Sequence, residues 1–444
     1  MRLTLLEMLE ATKGGQAGGT LVGNTFATFH TDSREVLAGG VFFALKGSRL
    51  DGHRFVADAV RRGAAAVVVD HRVPQEHGVA QVVVVDTWSA LYALAAFVLA
   101  RVRPLVAAVT GSNGKTSTKE MLAAVLGREH VVLRTMGNLN TETGVPLTIL
   151  GLEPEHTALV LEMGMQHLGD IGRLVALAKP SIGVITNIGS VHMQFFSSRE
   201  ELARSKGELV AGLPPSGRAV LNAEDEFYPL LARMSAAGVT SFGLAEGEYR
   251  AEGYRLLGEG GCAFTVRGVD VRLTLEGRHQ ALNAVAALAA GEAAGVQLQS
   301  GAEAVAGVAV EHRLEESVLA GGFSIVDDTY NASPESMRAA FAVMAQRPRQ
   351  GRLLALLGEM RELGSLTDES HRLIGRQAAE VFDTVAVVDS ESGRILAESA
   401  GAEVVSDQAA AVAWIRNNAR AGDRVLVKGA HGMRLDEVVR ELLR

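Results

Sequence analysis

The chain has 444 residues, of which 48% are hydrophobic and 21% are charged, and its formal net charge is −8. These values exclude collagen-like, disordered and small disulfide-stapled proteins, and at roughly 150 residues per domain the length predicts about three domains. Because 51 acidic residues outnumber 43 basic ones, no broad positive surface exists to bind a phosphate backbone, and we expect no nucleic-acid partner. The one cysteine, Cys262, cannot form an internal disulfide, so we interpret it as a core residue of a cytoplasmic protein.

The N-terminal part of the chain predicts a small α/β domain. The segment MRLTLLEMLEATKGG indicates a short amphipathic helix and not a signal peptide, because no cleavage site follows a long apolar run. Strand VFFALKG, helix FVADAVRRG and strands AAAVVVD and QVVVVD follow, and then an apolar helix over residues 87–103. Its apolar stretch is shorter than the roughly 18 residues that a membrane span needs, so we do not expect an integral membrane protein.

Two further runs of alternating strands and helices follow. The middle run has strands LVAAVTG, TALVLEMG and SIGVITNIG, a β-rich segment GCAFTVRGVDVRLTLEG and an alanine-rich helix from His279 to Gly295. The last run has strands FSIVDD, LLALLGE, TVAVVD, AEVVSD and DRVLVKG, each followed by an amphipathic helix. Such alternation predicts parallel, doubly wound sheets. We therefore predict an α/β protein with domains at 1–103, 104–311 and 312–444, the last one Rossmann-like although no GxGxxG follows its strands.

The strongest local signal is TGSNGKTST at residues 110–118, between the strand LVAAV and a helix. Strand, glycine loop and helix form the context of a phosphate-binding loop. Gly111 and Gly114 allow backbone N–H groups to turn inward, Lys115 supplies a positive charge, and the Thr116 hydroxyl can bind Mg²⁺. The spacing is GxxGKT, shorter than the common GxxxxGK[ST]. The sequence predicts a nucleotide phosphate site, against the simpler interpretation of a glycine turn before a helix.

Three further polar residues are expected at the same edge of the sheet. Glu162 ends the strand LVLEMG, His192 follows the next strand in NIGSVH, and Lys206 lies in the helix that carries SKGELV. Ligands gather at the carboxyl edge of a doubly wound sheet. Taken alone, each residue also fits a structural role, as a solvated strand end, a hydrogen-bonded histidine or a surface lysine. Their shared location favours a function beside the phosphate loop.

Together these motifs resemble a known family. TGSNGKT, LEMGM, TNIGSVH, SKGEL, GRHQALNAVAA and DDTYNASPESM, in this order, resemble the Mur ligases, ATP-dependent amide-forming enzymes of peptidoglycan precursor synthesis. DDTYNASPESM is most similar to the member that adds D-alanyl-D-alanine to UDP-N-acetylmuramoyl-tripeptide, because the diamino-acid-adding members and the folylpolyglutamate synthases carry a histidine after the alanine. TDSREVLAGGVFFALKG and DGHRFVADAVRRGA resemble the UDP-binding domain, so the resemblance covers the whole chain.

The resemblance implies roles for ATP-site and metal-site residues. The residues that would bind ATP are Gly111, Ser112, Asn113, Gly114, Lys115, Thr116, Ser117, His279, Asn283, Arg313, Asp328 and Asn331. The catalytic residues would be Lys115, Glu162, His192 and Lys206. Thr116 and Glu162 would hold one Mg²⁺ and His192 a second. Lys206 matches a lysine that related enzymes carbamylate, which would make it an anionic oxygen ligand suited to a hard cation.

The resemblance also implies residues that bind the two other substrates. The UDP-sugar would contact Ser33, Arg34, Lys46, Asp51, Gly52 and His53. NLNTETGVPLT resembles the substrate loop, with Asn138 and Asn140 as substrate contacts, but Thr141 stands where a second asparagine is usual. Lys428, at a strand end of the third domain, is expected to face the dipeptide.

The implied reaction is the activation of a carboxylate by ATP. The γ-phosphate would pass to the tripeptide carboxylate, and the amine of D-alanyl-D-alanine would attack the acyl phosphate. Catalysis of this kind needs positioning and charge neutralisation, and no Ser-His-Asp or Cys-His set. The alternatives are another ligase of the Mur or folylpolyglutamate type and, from a different class, a nucleotide-dependent switch. We expect a monomer.

Overall fold

The fold is described from a computed structural model, which covers residues 1–17, 25–47, 50–74, 79–257, 260–310 and 312–444. It is an α/β architecture built on three mostly parallel sheets, so the predicted fold class is confirmed. The predicted domain boundary at residue 311 lies outside the described residues. Among those residues, none of the helices combines the length and the apolar character that a membrane crossing needs.

The first region contains a five-stranded sheet. Its elements are β1 (Leu3–Thr4), α1 (Leu5–Thr12), β2 (Gly15–Ala17), β3 (Thr25–Phe26), β4 (Phe29–His30), β5 (Val41–Phe43), α2 (Val56–Arg61), β6 (Ala66–Val69), β7 (Ala80–Val83) and α3 (Thr87–Val102). The strand order is β2-β7-β6-β5-β4, in which β2 runs antiparallel to β7 and the other pairs are parallel. The predicted N-terminal helix is confirmed as α1, which begins with a capping box between Thr4 and Glu7.

The middle region contains a seven-stranded sheet. The elements of this region are β8 (Leu105–Thr110), α4 (Lys115–Leu126), β9 (Val132–Arg134), α5 (Gly144–Leu150), β10 (Ala158–Glu162), α6 (Asp170–Ala178), β11 (Ile182–Ile185), α7 (Arg199–Ala211), β12 (Arg218–Asn222), α8 (Tyr228–Met234), β13 (Gly238–Gly243), β14 (Tyr249–Arg250), β15 (Glu252–Leu256), β16 (Cys262–Val266), β17 (Val269–Leu273), α9 (Arg278–Ala293) and α10 (Leu298–Val305). Strands β15, β16 and β17 form a separate sheet.

Every pair in the seven-stranded sheet is parallel, in the order β14-β13-β12-β11-β8-β10-β9. The strands β8, β10 and β11 are almost entirely buried, as expected for a parallel sheet covered by helices on both faces. Helix α9 covers one face, and its small residues permit close packing on α4: a Cβ on Gly291 would lie 2.2 Å from Val125 Cγ1. Cys262 is buried in the same core, as predicted.

The last region contains a six-stranded sheet. Its elements are β18 (Glu315–Val318), β19 (Ser324–Asp327), α11 (Pro334–Gln346), β20 (Leu353–Leu357), α12 (Thr367–Val381), β21 (Thr384–Val388), α13 (Glu391–Ala400), β22 (Glu403–Val405), α14 (Gln408–Asn418), β23 (Arg424–Lys428) and α15 (Leu435–Leu442). The order is β18-β19-β23-β20-β21-β22, with β18 antiparallel to β19 and the other pairs parallel. The alternation of strand and helix predicted for this region is confirmed.

The topology determines where the site lies. Strand β8 has β10 on one side and β11 on the other. The glycine loop after β8, Glu162 at the end of β10 and the loop after β11 therefore meet at one carboxyl edge of the sheet. Ligands bind at this edge in doubly wound folds.

Candidate active site

The loop between β8 and α4 has the backbone of an anion cradle. Gly111 and Gly114 have φ angles of +145° and +80°, which side-chain-bearing residues rarely adopt. A Cβ on Gly114 would also lie 2.3 Å from Asn283 Oδ1. The backbone N–H groups of residues 114–117 donate no hydrogen bond to any of the described residues. These N–H groups, at the positive end of α4, are available to phosphate oxygens.

The loop after β11 holds this cradle in place. Ser112 N–H donates to the Asn187 carbonyl at 2.9 Å, and Asn113 N–H donates to Asn187 Oδ1 at 3.0 Å. Thr186 Oγ1 donates to the Asn113 carbonyl at 2.6 Å. Thr186 and Asn187 both belong to the TNIGSVH motif, but neither was predicted as a site residue.

Two lysines converge on the cradle. Lys115 Nζ donates to the carbonyls of Gly111 and Ser112 at 2.8 and 3.0 Å. Lys206 is fully buried, and its Nζ donates to the Gly111 carbonyl at 3.1 Å. Burial lowers the pKa of Lys115, and burial together with the nearby Lys115 lowers the pKa of Lys206 well below its ordinary value. Lys206 is therefore a candidate for a neutral amine at the base of the phosphate site.

Glu162 presents a carboxylate oxygen that lacks a protein partner. Its Oε1 accepts a 2.7 Å hydrogen bond from Asn140 Nδ2. Its Oε2 is buried and has no hydrogen-bond partner among the described residues. An unpaired buried carboxylate oxygen is costly, and a bound cation would remove that cost. Thr116 lines the same cavity as Glu162, and hydroxyl and carboxylate oxygens fit Mg²⁺.

His192 meets a carboxylate that we did not predict. Its Nδ1 contacts Glu362 Oε2, on the loop between β20 and α12 of the last region. Burial lowers the pKa of His192, although Glu362 opposes that shift, and the close contact with His192 lowers the pKa of Glu362. The motif GEMRELG around Glu362 carries no chemical pattern that marks this residue in the sequence.

Two cavities flank the cradle, and both are also lined by the last region. One, of about 610 Å³, contains the predicted ATP residues His279, Asn283 and Asp328. The other, of about 870 Å³, contains Thr116, Glu162, His192, Asn140 and Asn331. The residues Asn113, Gly114 and Arg313 line both. A nucleotide in the first cavity would thus direct its phosphates towards the second.

Arg313 lines both cavities and Lys428 lines one of them, but their side chains have different partners. Arg313 lies over the Tyr330 ring at 4.2 Å, and its Nε is buried without a partner among the described residues. Lys428 was expected to face the dipeptide. Instead it is fully buried and lines the cavity of His279 and Asn283. Its Nζ forms an ion pair with Asp328 Oδ2 at 2.7 Å, because a buried ammonium needs a counter-charge.

The start of helix α11 joins the last region to the phosphate loop. Ser333 Oγ, the N-cap, donates to Asn113 Oδ1 at 3.0 Å. Glu335 Oε1 accepts from the backbone and hydroxyl of Ser190 at 3.2 and 2.8 Å. Both residues lie in DDTYNASPESM, but neither was predicted as a site residue. These contacts bring the two regions together at the site.

The remaining substrate-loop residues contribute to local structure. Asn138 is exposed, and its carbonyl accepts the Asn140 N–H at 2.7 Å. Thr141 Oγ1 lies 3.2 Å from Thr143 Oγ1 and accepts the Gly144 N–H at 3.4 Å. The threonine that replaces the usual asparagine thus supports the first turn of α5.

The predicted UDP-binding residues lie in the first region, and none of them lines either of the two cavities. Ser33 is buried, whereas Arg34 is exposed and pairs with Asp32. Lys46 and Asp51 form a β-bridge, and Gly52 N–H donates to the Leu45 carbonyl at 2.8 Å.

Both ring nitrogens of His53 already have partners within the protein. Its Nδ1 lies 2.6 Å from Asp51 Oδ1, and its Nε2 accepts the Asp70 N–H at 3.1 Å. Although His53, Asp70 and His71 cluster, His53 Nε2 is therefore occupied, and we do not interpret the cluster as a metal centre.

Comparisons with known proteins identify the family. Family models match three stretches: the Mur ligase family, catalytic domain at residues 26–100, the Mur ligase middle domain at 109–291 and the Mur ligase, glutamate ligase domain at 312–431. The chain is 36% identical over 459 residues to UDP-N-acetylmuramoyl-tripeptide--D-alanyl-D-alanine ligase of Bacillus subtilis, a match that covers 100% of this chain and 99% of that protein. The chain belongs to the Mur ligase family.

Solved structures resemble this Mur ligase over its whole length. A crystal structure of MurF from Acinetobacter baumannii has a TM-score of 0.90 and 32% identity, covering 100% of this chain and 99% of that one. The MurF ligase of Thermotoga maritima in complex with ADP has a TM-score of 0.82 and 30% identity, covering 94% of this chain and 96% of that one. The three-domain Mur ligase architecture is therefore shown for this chain.

Proposed function

We propose that this Mur ligase joins D-alanyl-D-alanine to UDP-N-acetylmuramoyl-tripeptide and converts ATP to ADP and phosphate. The observation that carries the proposal is the full-length similarity to ligases of that name. The phosphate cradle at Gly114 and the buried, unpaired oxygen of Glu162 support it. The chain is an ATP-dependent ligase of peptidoglycan precursor synthesis.

The reaction has two steps. A carboxylate oxygen of the tripeptide bonds to the γ-phosphorus of ATP, and the bond to ADP breaks. The amine nitrogen of the dipeptide then bonds to the acyl carbon, phosphate leaves with the bonding electrons, and one proton is lost from the amine. Two anions approach each other in the first step, so Lys115 lowers the barrier by neutralising charge on the transferred phosphate.

ATP would occupy the cavity of about 610 Å³ beside α9. His279 and Asn283 line it from α9, and Asp328 and Arg313 line it from the last region. Burial lowers the pKa of His279 to about 4, so this ring is a neutral hydrogen-bonding group there. The phosphates would meet the cradle residues 111–117, and Asn331 would approach from the second cavity.

The residues that would hold Mg²⁺ are Thr116, Glu162 and His192. A bound Mg²⁺ supplies positive charge to the phosphate oxygens. Asn140 orients the Glu162 carboxylate by its 2.7 Å hydrogen bond, so we assign it to metal positioning and not to direct substrate contact. Two ions remain our prediction.

Lys206 is proposed to carry a carbamate. Its neutral amine, buried 3.1 Å from the Gly111 carbonyl, would bond to carbon dioxide and lose one proton, which turns a cation that repels Mg²⁺ into an oxygen ligand. Intact-protein mass spectrometry in bicarbonate should detect the mass of one added carbon dioxide. This added mass should be absent from the Lys206→Arg variant.

The UDP-sugar is proposed to bind the first region through Ser33, Arg34, Lys46, Asp51, Gly52 and His53. With the UDP-sugar bound there, the muramyl peptide would extend from the first region into the cavity of about 870 Å³ that contains Glu162.

The domain boundaries 1–103, 104–311 and 312–444, a monomeric state and a cytoplasmic location also stay predictions.

The deciding experiment measures phosphate release with Mg-ATP and each substrate, alone and together. We expect release that requires both UDP-muramyl-tripeptide and D-alanyl-D-alanine, with the UDP-pentapeptide seen by mass. Turnover with UDP-muramyl-dipeptide and a diamino acid would move the chain to another ligase of the family. Tight ATP binding with no turnover on any muramyl or folyl acceptor would favour a nucleotide-dependent switch.

A further inference from the structure

Lys119 is a buried lysine that the reaction described above does not use. It lies on α4, one helical turn after Lys115, and its side chain is 1% exposed. Its Nζ donates to the Thr135 carbonyl at 2.7 Å and lies 2.7 Å from Glu120 Oε1. Because packed apolar residues in place of a buried ion pair are often no less stable, stability alone does not explain an ammonium at this position.

Thr135 is the point at which the chain leaves the sheet. Its N–H donates to the Val160 carbonyl at 3.0 Å and continues the parallel ladder of β9 and β10. In a regular parallel pair the next bond would run from the Glu162 N–H to the Thr135 carbonyl. Instead the Glu162 N–H donates to Thr135 Oγ1 at 3.0 Å, and the carbonyl accepts the Lys119 ammonium. The ammonium therefore holds the Thr135 carbonyl in the orientation that ends the ladder.

The segment that begins at Thr135 returns to the same strand end. The Asn140 carbonyl accepts the Gly164 N–H at 2.7 Å, and Asn140 Nδ2 donates to Glu162 Oε1 at 2.7 Å. Glu162 thus meets this segment twice, through its N–H at Thr135 and through its carboxylate at Asn140. A displacement of Thr135 would therefore change where the Glu162 carboxylate lies.

Lys119 also ties this segment to the phosphate loop. The N-terminal end of α4 bears the cradle, and Lys115 and Lys119 lie four residues apart on that helix, so they share one face of it. A single helix carries both the lysine of the cradle and the lysine that holds Thr135. The phosphate loop and the end of β10 are thereby joined by side-chain contacts as well as by the sheet.

We infer that Lys119 is a positioning residue, which acts through Thr135 to place the Glu162 carboxylate beside the phosphate loop. This inference rests on the proposed function, because the role of Glu162 as a Mg²⁺ ligand belongs to it. Without the ammonium the buried Thr135 carbonyl would lose this partner, which costs free energy. The carbonyl would regain a partner by continuing the ladder to the Glu162 N–H, and the carboxylate would move with its main chain.

The test measures metal binding at equilibrium, without turnover, in the Lys119→Met variant of the full-length chain. Mn²⁺ takes the same oxygen ligands as Mg²⁺. It is titrated into protein held in excess over ADP, and the electron paramagnetic resonance signal of free Mn²⁺ gives its Kd. Residues that orient a metal ligand change metal affinity by about 10- to 100-fold, so we expect the Kd for Mn²⁺ to rise at least about tenfold. The Kd for ADP without metal should stay at the wild-type value, because Lys119 lines neither cavity.

A second variant tests the path through Thr135. Thr135→Val removes the hydroxyl that accepts the Glu162 N–H and keeps the shape of the side chain. It should also weaken Mn²⁺ binding, and it decides the matter if Lys119→Met does not fold. Because residues that act through one contact are not additive, the double variant should bind Mn²⁺ about as weakly as the weaker single variant. Weakened binding in Lys119→Met alone would overturn the path through Thr135.

Arg347→Met is the matched control, because it removes another buried cation that pairs with carboxylates. It should lower the unfolding temperature and leave the Kd for Mn²⁺ unchanged. If Lys119→Met and Thr135→Val also lower the unfolding temperature but bind Mn²⁺ like the wild type, Lys119 only stabilises the fold and the inference is wrong. If the wild-type chain itself binds no Mn²⁺ beside ADP, the metal site of the proposed function fails, so the two failures are distinguished.

Discussion

Asn140 Nδ2 donates a 2.7 Å hydrogen bond to Glu162 Oε1, which leaves Glu162 Oε2 as the buried oxygen without a partner. The amide thus fixes which oxygen faces the phosphate site. Residues that orient a metal ligand commonly change metal affinity or activity by about 10- to 100-fold when they are removed. Asn140→Ala should raise the Mg²⁺ concentration for half-maximal phosphate release at least about tenfold.

The control for this prediction is the same substitution at an exposed asparagine. Asn417→Ala, at an exposed position on α14, should leave the Mg²⁺ titration unchanged. If Asn140→Ala alters the KM for the UDP-tripeptide and not the Mg²⁺ requirement, Asn140 contacts the substrate, as the sequence motif first suggested.

Gly114→Ala should abolish tight ATP binding while the protein still folds. The new Cβ would lie 2.3 Å from Asn283 Oδ1, and the backbone has φ +80°. Conformational strain costs roughly 1–2 kcal/mol, and the displaced Asn283 would distort the nucleotide cavity. Isothermal titration with ATP should show affinity lowered by more than about tenfold, a change of at least 1.4 kcal/mol.

Gly268→Ala is the matched control, because Gly268 has φ +82° and nothing lies within 4 Å of its added Cβ. It should lose stability by a similar amount and bind ATP normally. Equal loss of ATP affinity in both variants would mean that strain alone, and not the contact with Asn283, explains the result.

The parts of the fold that the sequence predicts are those with strong local patterns. The strand, glycine loop and helix around residues 110–118 follow from residue chemistry, and the positions of Glu162 and His192 follow from the rule that parallel strands end at one edge. Strands β12 and β13 and helices α5, α8 and α10 were not predicted. These elements have only five to eight residues each, which is too short for a helical or strand periodicity to stand out.

Contacts between distant segments account for what the sequence could not reveal. Glu362 reaches His192 across 170 residues, and Lys428 meets Asp328 across 100 residues. A lysine at a strand end equally fits a free substrate contact and a buried ion pair. Only the packing of the strands β19 and β23 decides between these roles.

Arg347→Met should destabilise the protein. This buried arginine, 7% exposed, links Glu276 of the middle region at 2.6 Å with Glu316 of the last region at 2.9 Å. Removing one member of a buried ionic set leaves charges unpaired and costs about 3–5 kcal/mol. Scanning calorimetry should show a clearly lower unfolding temperature. Arg372→Met, whose exposed side chain lies 3.8 Å from Asp368, should change it little, and equal shifts would refute the linking role.

Glu316 gives this network a defined pH dependence. Burial opposes its ionisation, but hydrogen bonds from Ser324 and Arg424 and the charge of Arg347 prevail and lower the pKa of Glu316 below 4.5. A carboxyl group with a lowered folded pKa contributes stability that is complete above its unfolded pKa and is lost as pH falls through the folded value. The unfolding temperature of the wild type should therefore exceed that of Glu316→Gln by a constant amount from neutral pH down to about 4.5, and the gap should shrink below it. Glu441→Gln, in an exposed ion pair with Arg444, should show almost no gap at any pH. A gap for Glu316→Gln that persists or widens in acid would show that its carboxylate is not the stabilising form.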